Sequence, residues 1–189
     1  MKIPKHLIHT FVLFLLLAVP RSATARHTFS FNVLPGVVTS SYYPVPGRSY
    51  VNRTGLGFSM GYRYMSSGGF GGEASFSHCQ TFYPYNGHLN CNFYDISLVY
   101  GHDFSKKWMA VIGGGVGVAV CLNQFDQSTR LGPQFMAGTE FKLSDRIGLG
   151  TDIVYQSNSF HSRKDDGGAS ETVGAVSRLS LQVGIRVYL

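Results

Sequence analysis

The sequence predicts an all-β fold, an eight-stranded antiparallel up-and-down transmembrane β-barrel. Three observations predict it. Apolar and polar residues alternate with period two through eight segments, the connections alternate between tight and long, and the charges within the segments gather on one face. A chain of 189 residues with 23 glycines, 14% aromatic and only 14% charged residues suits strands and turns better than helix or disorder.

Residues 1–25 stand apart from this pattern. Lys2 and Lys5, the apolar run "LIHTFVLFLLLAV" and the small residues of "ATA" ending at Ala25 have the build of a secretory signal peptide, so residues 26–189 are expected to form the barrel domain. A helix crossing the membrane needs about 20 apolar residues. This run is shorter and is interrupted by His9 and Pro20. No later segment could span as a helix, so membrane residence must come from strands. The remaining chain carries 13 Lys and Arg against 10 acids, a net of +3 that is too modest and too scattered for a nucleic-acid partner.

The first segment, 27–37, sets Phe29, Phe31 and Val33 against Thr28, Ser30 and Asn32. In 54–65 the apolar face runs Leu56, Phe58, Met60, Tyr62, Tyr64, opposite Gly57, Ser59, Gly61 and Arg63. Segment 70–82 opposes Phe70, Ala74, Phe76 and Phe82 to Glu73, Ser75 and Ser77, and 92–102 opposes Tyr94, Ile96, Leu98 and Tyr100 to Asp95, Ser97 and Gly101. The fifth, 107–121, carries Trp108, Ala110, Ile112, Val116, Val118 and Val120 over a face of Gly113, Gly115, Gly117 and Ala119. In 131–143, Leu131, Phe135, Ala137, Phe141 and Leu143 oppose Gln134, Gly138, Glu140 and Lys142. Segment 147–156 sets Ile147, Leu149, Ile153 and Tyr155 against Gly148, Gly150, Asp152 and Gln156. The last, 173–189, ends in the strict alternation "LSLQVGIRVYL" with Arg178 and Arg186 on its polar face.

Connections 66–69, 103–106 and 144–146 are tight, whereas 38–53, 83–91, 122–130 and 157–172 are long. This sorting belongs to a barrel with short periplasmic turns at one rim and longer outside loops at the other, and an even strand number leaves both termini periplasmic. Arg63, Glu73, Asp95, Glu140, Lys142, Asp152, Arg178 and Arg186 all fall on polar faces, four acids and four bases that read as a neutralised lumen network. Register counted from the loops pairs Asp152 with Arg178 and Glu73 with Arg63. On the apolar faces, Tyr64, Phe70, Tyr100, Trp108 and Phe141 lie near the tight-turn rim, where an aromatic girdle meets lipid headgroups. Eight strands enclose room for side chains only, so no open pore is expected. A soluble ligand-binding barrel is the competing reading, and it would have to stack those rings at one end of a narrow interior.

Cys79, Cys91 and Cys121 would travel an oxidising route. Hairpins centred near residues 85 and 106 set Cys91 opposite both others, all with inward parity near the outer rim. The shorter connection favours a Cys79–Cys91 disulfide.

Motifs that could carry chemistry are weak. "GFSMG" at 57–61 fits the nucleophile-elbow pattern but lies within an alternating strand, and "GGGVGVAV" at 113–120 lacks phosphate-loop spacing and a following helix. Small inward residues there make room for long side chains from neighbouring strands. "NRT" at 52–54 matches a glycosylation acceptor with no meaning in a bacterial barrel, and no Cys/His spacing suggests a metal. No cofactor is expected.

The stretches "GLGFSMGYRYM" at 55–65, "GGFGGEASFSH" at 68–78, "YDISLVYGHDF" at 94–104, "GGGVGVAV" and the last strand resemble the small eight-stranded outer-membrane barrels, the OmpA-like and OmpX/Ail/Lom group. The chain departs from that group in ending on Leu189 rather than Phe. The resemblance implies a monomer inserted into a Gram-negative outer membrane by the barrel-assembly machinery, among outer-membrane lipid and lipopolysaccharide. It further implies a structural or surface-interaction role, with host surface molecules as possible partners. The aromatic, basic "SSYYPVPGRSYVNR" and the charged "FHSRKDDGG" are the stretches available for such contact. The alternative is an outer-membrane lipid A-modifying acyl hydrolase using His161, Ser162 and Glu171, although the strand before them, "VYQSN", offers no His.

Overall fold

Alternating β-branched, aromatic and small residues favour extended backbone, and each such run becomes a strand. The computed structural model describes residues 25–42, 51–82, 88–122, 127–162 and 171–189, so all of the expected leader except Ala25 lies outside the described residues. The strands are β1 (Arg26–Tyr42), β2 (Val51–Met65), β3 (Phe70–Phe82), β4 (His88–Asp103), β5 (Trp108–Leu122), β6 (Gln127–Lys142), β7 (Ile147–Ser162) and β8 (Glu171–Tyr188). Each pairs antiparallel with its chain neighbours, and β1 closes on β8 from Thr28↔Tyr188 to Tyr42↔Ala175. The Leu189 N–H extends this seam, donating to the His27 carbonyl at 3.0 Å.

The strand ends at the tight turns lie within one residue of the sequence expectation, whereas the other ends, apart from that of β3 at Phe82, run further. The seventh segment, expected to stop at 156, continues to Ser162, and the first, expected to stop at 37, continues to Tyr42. One tight turn needs a left-handed residue, Gly69 at φ 82°, whose carbonyl accepts the Gly101 N–H at 2.8 Å.

Register shifts occur near the long-loop end of the β7–β8 ladder, between Phe160 and His161, and within β1, where the change of face matters to the lumen. The register shifts between Leu34 and Val37 against β2, and between Val33 and Gly36 against β8. Pro35 has no N–H to give a ladder, which makes this a natural place for a bulge. Unbroken alternation would put Val37 on the outward face of Val33. Instead Leu34 and Val37 are both buried in the lumen.

Inward-facing residues fall into three groups. Leu34, Val37, Cys79, Cys91, Phe93 and Ala119 cluster toward the long-loop end. Met65, Val99, Met109, Val111, Met136 and Val154 form a second apolar cluster that starts at the tight-turn end. Buried polar and charged side chains, together with these two clusters, fill the lumen. Glycines give them room: a Cβ at Gly150 would fall into the Arg186 guanidinium, one at Gly138 into Asp152, and one at Gly117 into Asp95 and Gln156.

Gly150→Val is therefore expected to destabilise the detergent-refolded barrel by about 1–3 kcal/mol through overpacking against Arg186. Urea unfolding would show this as a lowered midpoint. An unchanged midpoint would mean the guanidinium does not occupy that space.

Candidate functional site

An eight-stranded sheet has two faces that can carry function, and here their polarities are inverted relative to a soluble barrel. On the wall, Leu98 is 79% exposed, Ile112 59% and Ile153 54%, while inside Arg178 and Arg186 are 0% exposed and Glu140 1%. A water-filled channel would leave such interior side chains accessible. The lumen is plugged.

The larger interior cluster joins six strands. Arg63 on β2 donates through Nε to Glu73 Oε2 on β3 and through Nη1 to Glu140 Oε1 on β6, each at 2.5 Å. Arg186 on β8 reaches the same Glu140 oxygen through Nε at 3.3 Å and donates to Asn32 Oδ1 at 2.5 Å and to Asp152 Oδ2. The Tyr188 hydroxyl donates to Glu140 Oε2 at 3.2 Å. Glu140 is thus the shared acceptor of two guanidiniums and a phenol. Asn32, Ser59 and Gln182 extend the network, with Asn32 Nδ2 on Ser59 Oγ at 2.9 Å and Ser59 Oγ on Gln182 Oε1 at 2.7 Å.

A second cluster lies toward the long-loop end. Arg178 Nη2 donates to Asp95 Oδ2 at 2.9 Å and Gln156 Oε1 at 3.1 Å, with its guanidinium 4.1 Å from the centre of the Phe93 ring. Of the expected pairs, Arg63 meets Glu73, whereas Asp152 does not meet Arg178. The β7–β8 ladder sets Asp152 opposite Gln182 and Arg178 opposite Gln156, so Asp152 is reached from below by Arg186 and Arg178 turns across the lumen to Asp95. Lys142 joins neither cluster; its ammonium lies 5.9 Å from the centre of the Tyr188 ring. Asn32, Ser59, Gln156 and Gln182 were not singled out from the sequence, and inward parity is the signal that marks them.

On the wall each of the five residues expected to form a girdle meets a ring of a neighbouring strand in a tilted arrangement. Phe70 and Tyr100 have ring centroids 4.7 Å apart, Trp108 and Phe141 4.8 Å, and Tyr64 lies 5.3 Å from His27. His27 Nδ1 also bonds the Tyr62 hydroxyl at 2.7 Å.

The expected Cys79–Cys91 disulfide is not formed. Cys79 is a buried free thiol, while Cys91 is disulfide-bonded. The ladders set Cys91 opposite Cys79 on β3 and opposite Cys121 on β5. The two ladders offer Cys91 a neighbour on either side, and loop length, the basis of the sequence expectation, does not choose between them.

The side chains of His161, Ser162 and Glu171 lie outside the described residues. Their backbone pairs Ser162 with Glu171 and His161 with Thr172. Among the described residues no group of three or more His, Cys, Asp or Glu could hold a metal.

Closed topology, plugged lumen and apolar wall together define the fold of the small eight-stranded outer-membrane barrels. Solved structures of this kind resemble the chain along most of its length. Neisserial surface protein A superposes with a TM-score of 0.58 at 14% identity, covering 86% of this chain and 97% of that one. The outer membrane protein OprG of Pseudomonas aeruginosa gives 0.57 at 10% identity, covering 88% and 96%. Ail, the attachment invasion locus protein of Yersinia pestis, in complex with the heparin analogue sucrose octasulfate, gives 0.50 at 14%, covering 86% and 99%. No family model and no curated protein sequence matches the chain.

Two outcomes are expected. Arg186→Met leaves Glu140 and Asp152 without their shared cation, and should cost about 3–5 kcal/mol of unfolding free energy in detergent; a loss within experimental error would remove Arg186 from the network. Maleimide should fail to label Cys79 in the folded barrel and label it on unfolding without reductant. Recovery of a Cys79–Cys91 linked peptide by mass spectrometry would contradict the assignment.

Proposed function

We propose that the protein is a monomeric Gram-negative outer-membrane barrel with periplasmic termini and tight turns, acting non-enzymatically at the cell surface through its long connections. The observation that carries this reading is the inverted polarity: an apolar, ring-girdled wall around buried ion pairs suits lipid outside and no water path inside. A plugged lumen serves neither diffusion nor capture of a ligand, so specific contact falls to the connections. Their sequences supply Arg48, Arg53, Arg163 and Lys164 together with several tyrosines, a composition suited to anionic host glycans or lipopolysaccharide. Ail, of the same fold, is seen with a sulfated sugar, which agrees with that chemistry.

The acyl hydrolase alternative requires His161, Ser162 and Glu171 to converge. The ladder sets Ser162 opposite Glu171 and His161 opposite Thr172.

The test is fractionation of a Gram-negative host expressing the chain. The protein is expected in the outer-membrane fraction, migrating differently before and after boiling, and cleaved by trypsin added to intact cells only in the long connections. Recovery as a soluble periplasmic protein would overturn the membrane reading. Resistance of the long connections in intact, expressing cells would overturn the surface role.

A further inference from the structure

Two of the turns at the tight end are built on one frame. In Phe104-Ser105-Lys106-Lys107-Trp108, the N–H groups of Phe104 and Ser105 donate to the Trp108 carbonyl at 2.9 and 3.3 Å, while Ser105 Oγ accepts the N–H of Lys107 at 3.2 Å and of Trp108 at 3.1 Å. In Leu143-Ser144-Asp145-Arg146-Ile147, Leu143 and Ser144 donate to the Ile147 carbonyl, both at 3.0 Å, and Ser144 Oγ accepts from Arg146 at 3.3 Å and Ile147 at 3.1 Å. Each frame therefore holds a cation, Lys107 or Arg146, at the same position between two exposed apolar residues. The serine bonds fix the backbone that presents it.

The frames are neighbours along the rim. The Lys142 N–H donates to the Lys107 carbonyl at 2.8 Å, and the Tyr188 N–H to the Arg146 carbonyl at 2.9 Å. Lys106, Lys107 and Arg146 are exposed and form no ion pair among the described residues, and Asp145 is the one acid of the two frames. Elsewhere on this rim Arg26 is already paired with Asp103 at 3.1 Å, and the turn at 66–69 carries no charge. Next to the cations the wall turns apolar at once, with Phe104 and Trp108 exposed and Trp108 tilted against Phe141.

A diacyl phospholipid has the complementary order, an anionic phosphate at headgroup level and hydrocarbon running along the wall. We propose that these twin turns form a docking surface for anionic glycerophospholipid headgroups in the leaflet facing the tight-turn rim. Lys107 and Arg146 are the principal contacts, and Lys106 adds to the local field. Ser105 and Ser144 act as positioning residues. The proposal rests on the membrane reading given above.

The mature chain would be inserted into vesicles of phosphatidylcholine containing a minority of phosphatidylglycerol, extracted in mild detergent, and its retained lipids counted by mass spectrometry. Phosphatidylglycerol should be enriched over its share of the vesicle. A Lys107→Gln, Arg146→Gln double variant, which leaves both serine frames intact, should lower the enrichment by about fivefold per cation removed. Rising salt during extraction should erode the wild-type enrichment. No enrichment, or equal enrichment in wild type and variant, overturns the proposal while leaving the barrel reading standing. Failure of the wild type to insert, read by lost heat-modifiable migration in the same vesicles, overturns both.

Discussion

The structure depends on closing one hydrogen-bond ladder, that between β1 and β8. A wall surrounded by hydrocarbon has no water to satisfy its N–H and C=O groups, so a free strand edge would leave a row of them unpaired. The Thr28↔Tyr188 to Tyr42↔Ala175 seam removes that edge. Closure with eight strands then fixes an interior only wide enough for side chains. Everything placed inside must fit that bore, which is why Gly117, Gly138 and Gly150 stand beside Asp95, Asp152 and Arg186.

The interior also carries information that the wall cannot. Slipping β8 by two residues along β7 would keep an apolar face toward lipid, because the exterior alternation looks the same after the slip. It would also carry Arg178 and Arg186 away from Asp95, Glu140 and Asp152 and bury those carboxylates unpaired. Glu140 has the most to lose, since it accepts from Arg63, Arg186 and Tyr188, on two different strands. The charged network of the lumen thus discriminates between registers, and the apolar clusters packed beside it help to exclude water.

Much of this was legible in the sequence, and the exceptions share a cause. Period two marks which face a residue joins, so the eight strands, the inward charges and the outward rings could all be read from residue order. Strand length beyond the apolar stretch could not: past Gln156 the alternation fades, yet hairpin pairing carries β7 on to Ser162. The bulge at Pro35–Gly36 changes parity without changing composition, so Val37 moves to the other face unannounced. Asp152 and Cys91 went astray at the same step. Parity placed both inside correctly, but the choice among inward partners depends on register and, for Cys91, on which of its two neighbouring strands supplies the partner.

Because wall and lumen are both committed to holding the barrel together, the rims are where sequence is free to do something else. The tight rim gives a way to separate structural need from other demands. The turn at 66–69 reverses the chain with Ser66 donating its N–H to the Phe70 carbonyl at 2.8 Å and its hydroxyl to the same oxygen at 2.9 Å, and it contains no charge. A serine at the head of the turn and a left-handed glycine at its end therefore make the reversal without any charge. The cations of the other two turns are not explained by turn formation, nor by ion pairing, since among the described residues none of them pairs with Asp145 and Asp103 is held by Arg26. Lysine and arginine side chains each sacrifice about 2 kcal/mol of rotamer freedom when fixed, so on a rim facing only water a small polar residue would serve the fold equally well. What distinguishes this sector is its position directly beside the Trp108–Phe141 pair, where, on the membrane reading proposed above, hydrocarbon would give way to headgroups and a positive charge would meet a phosphate.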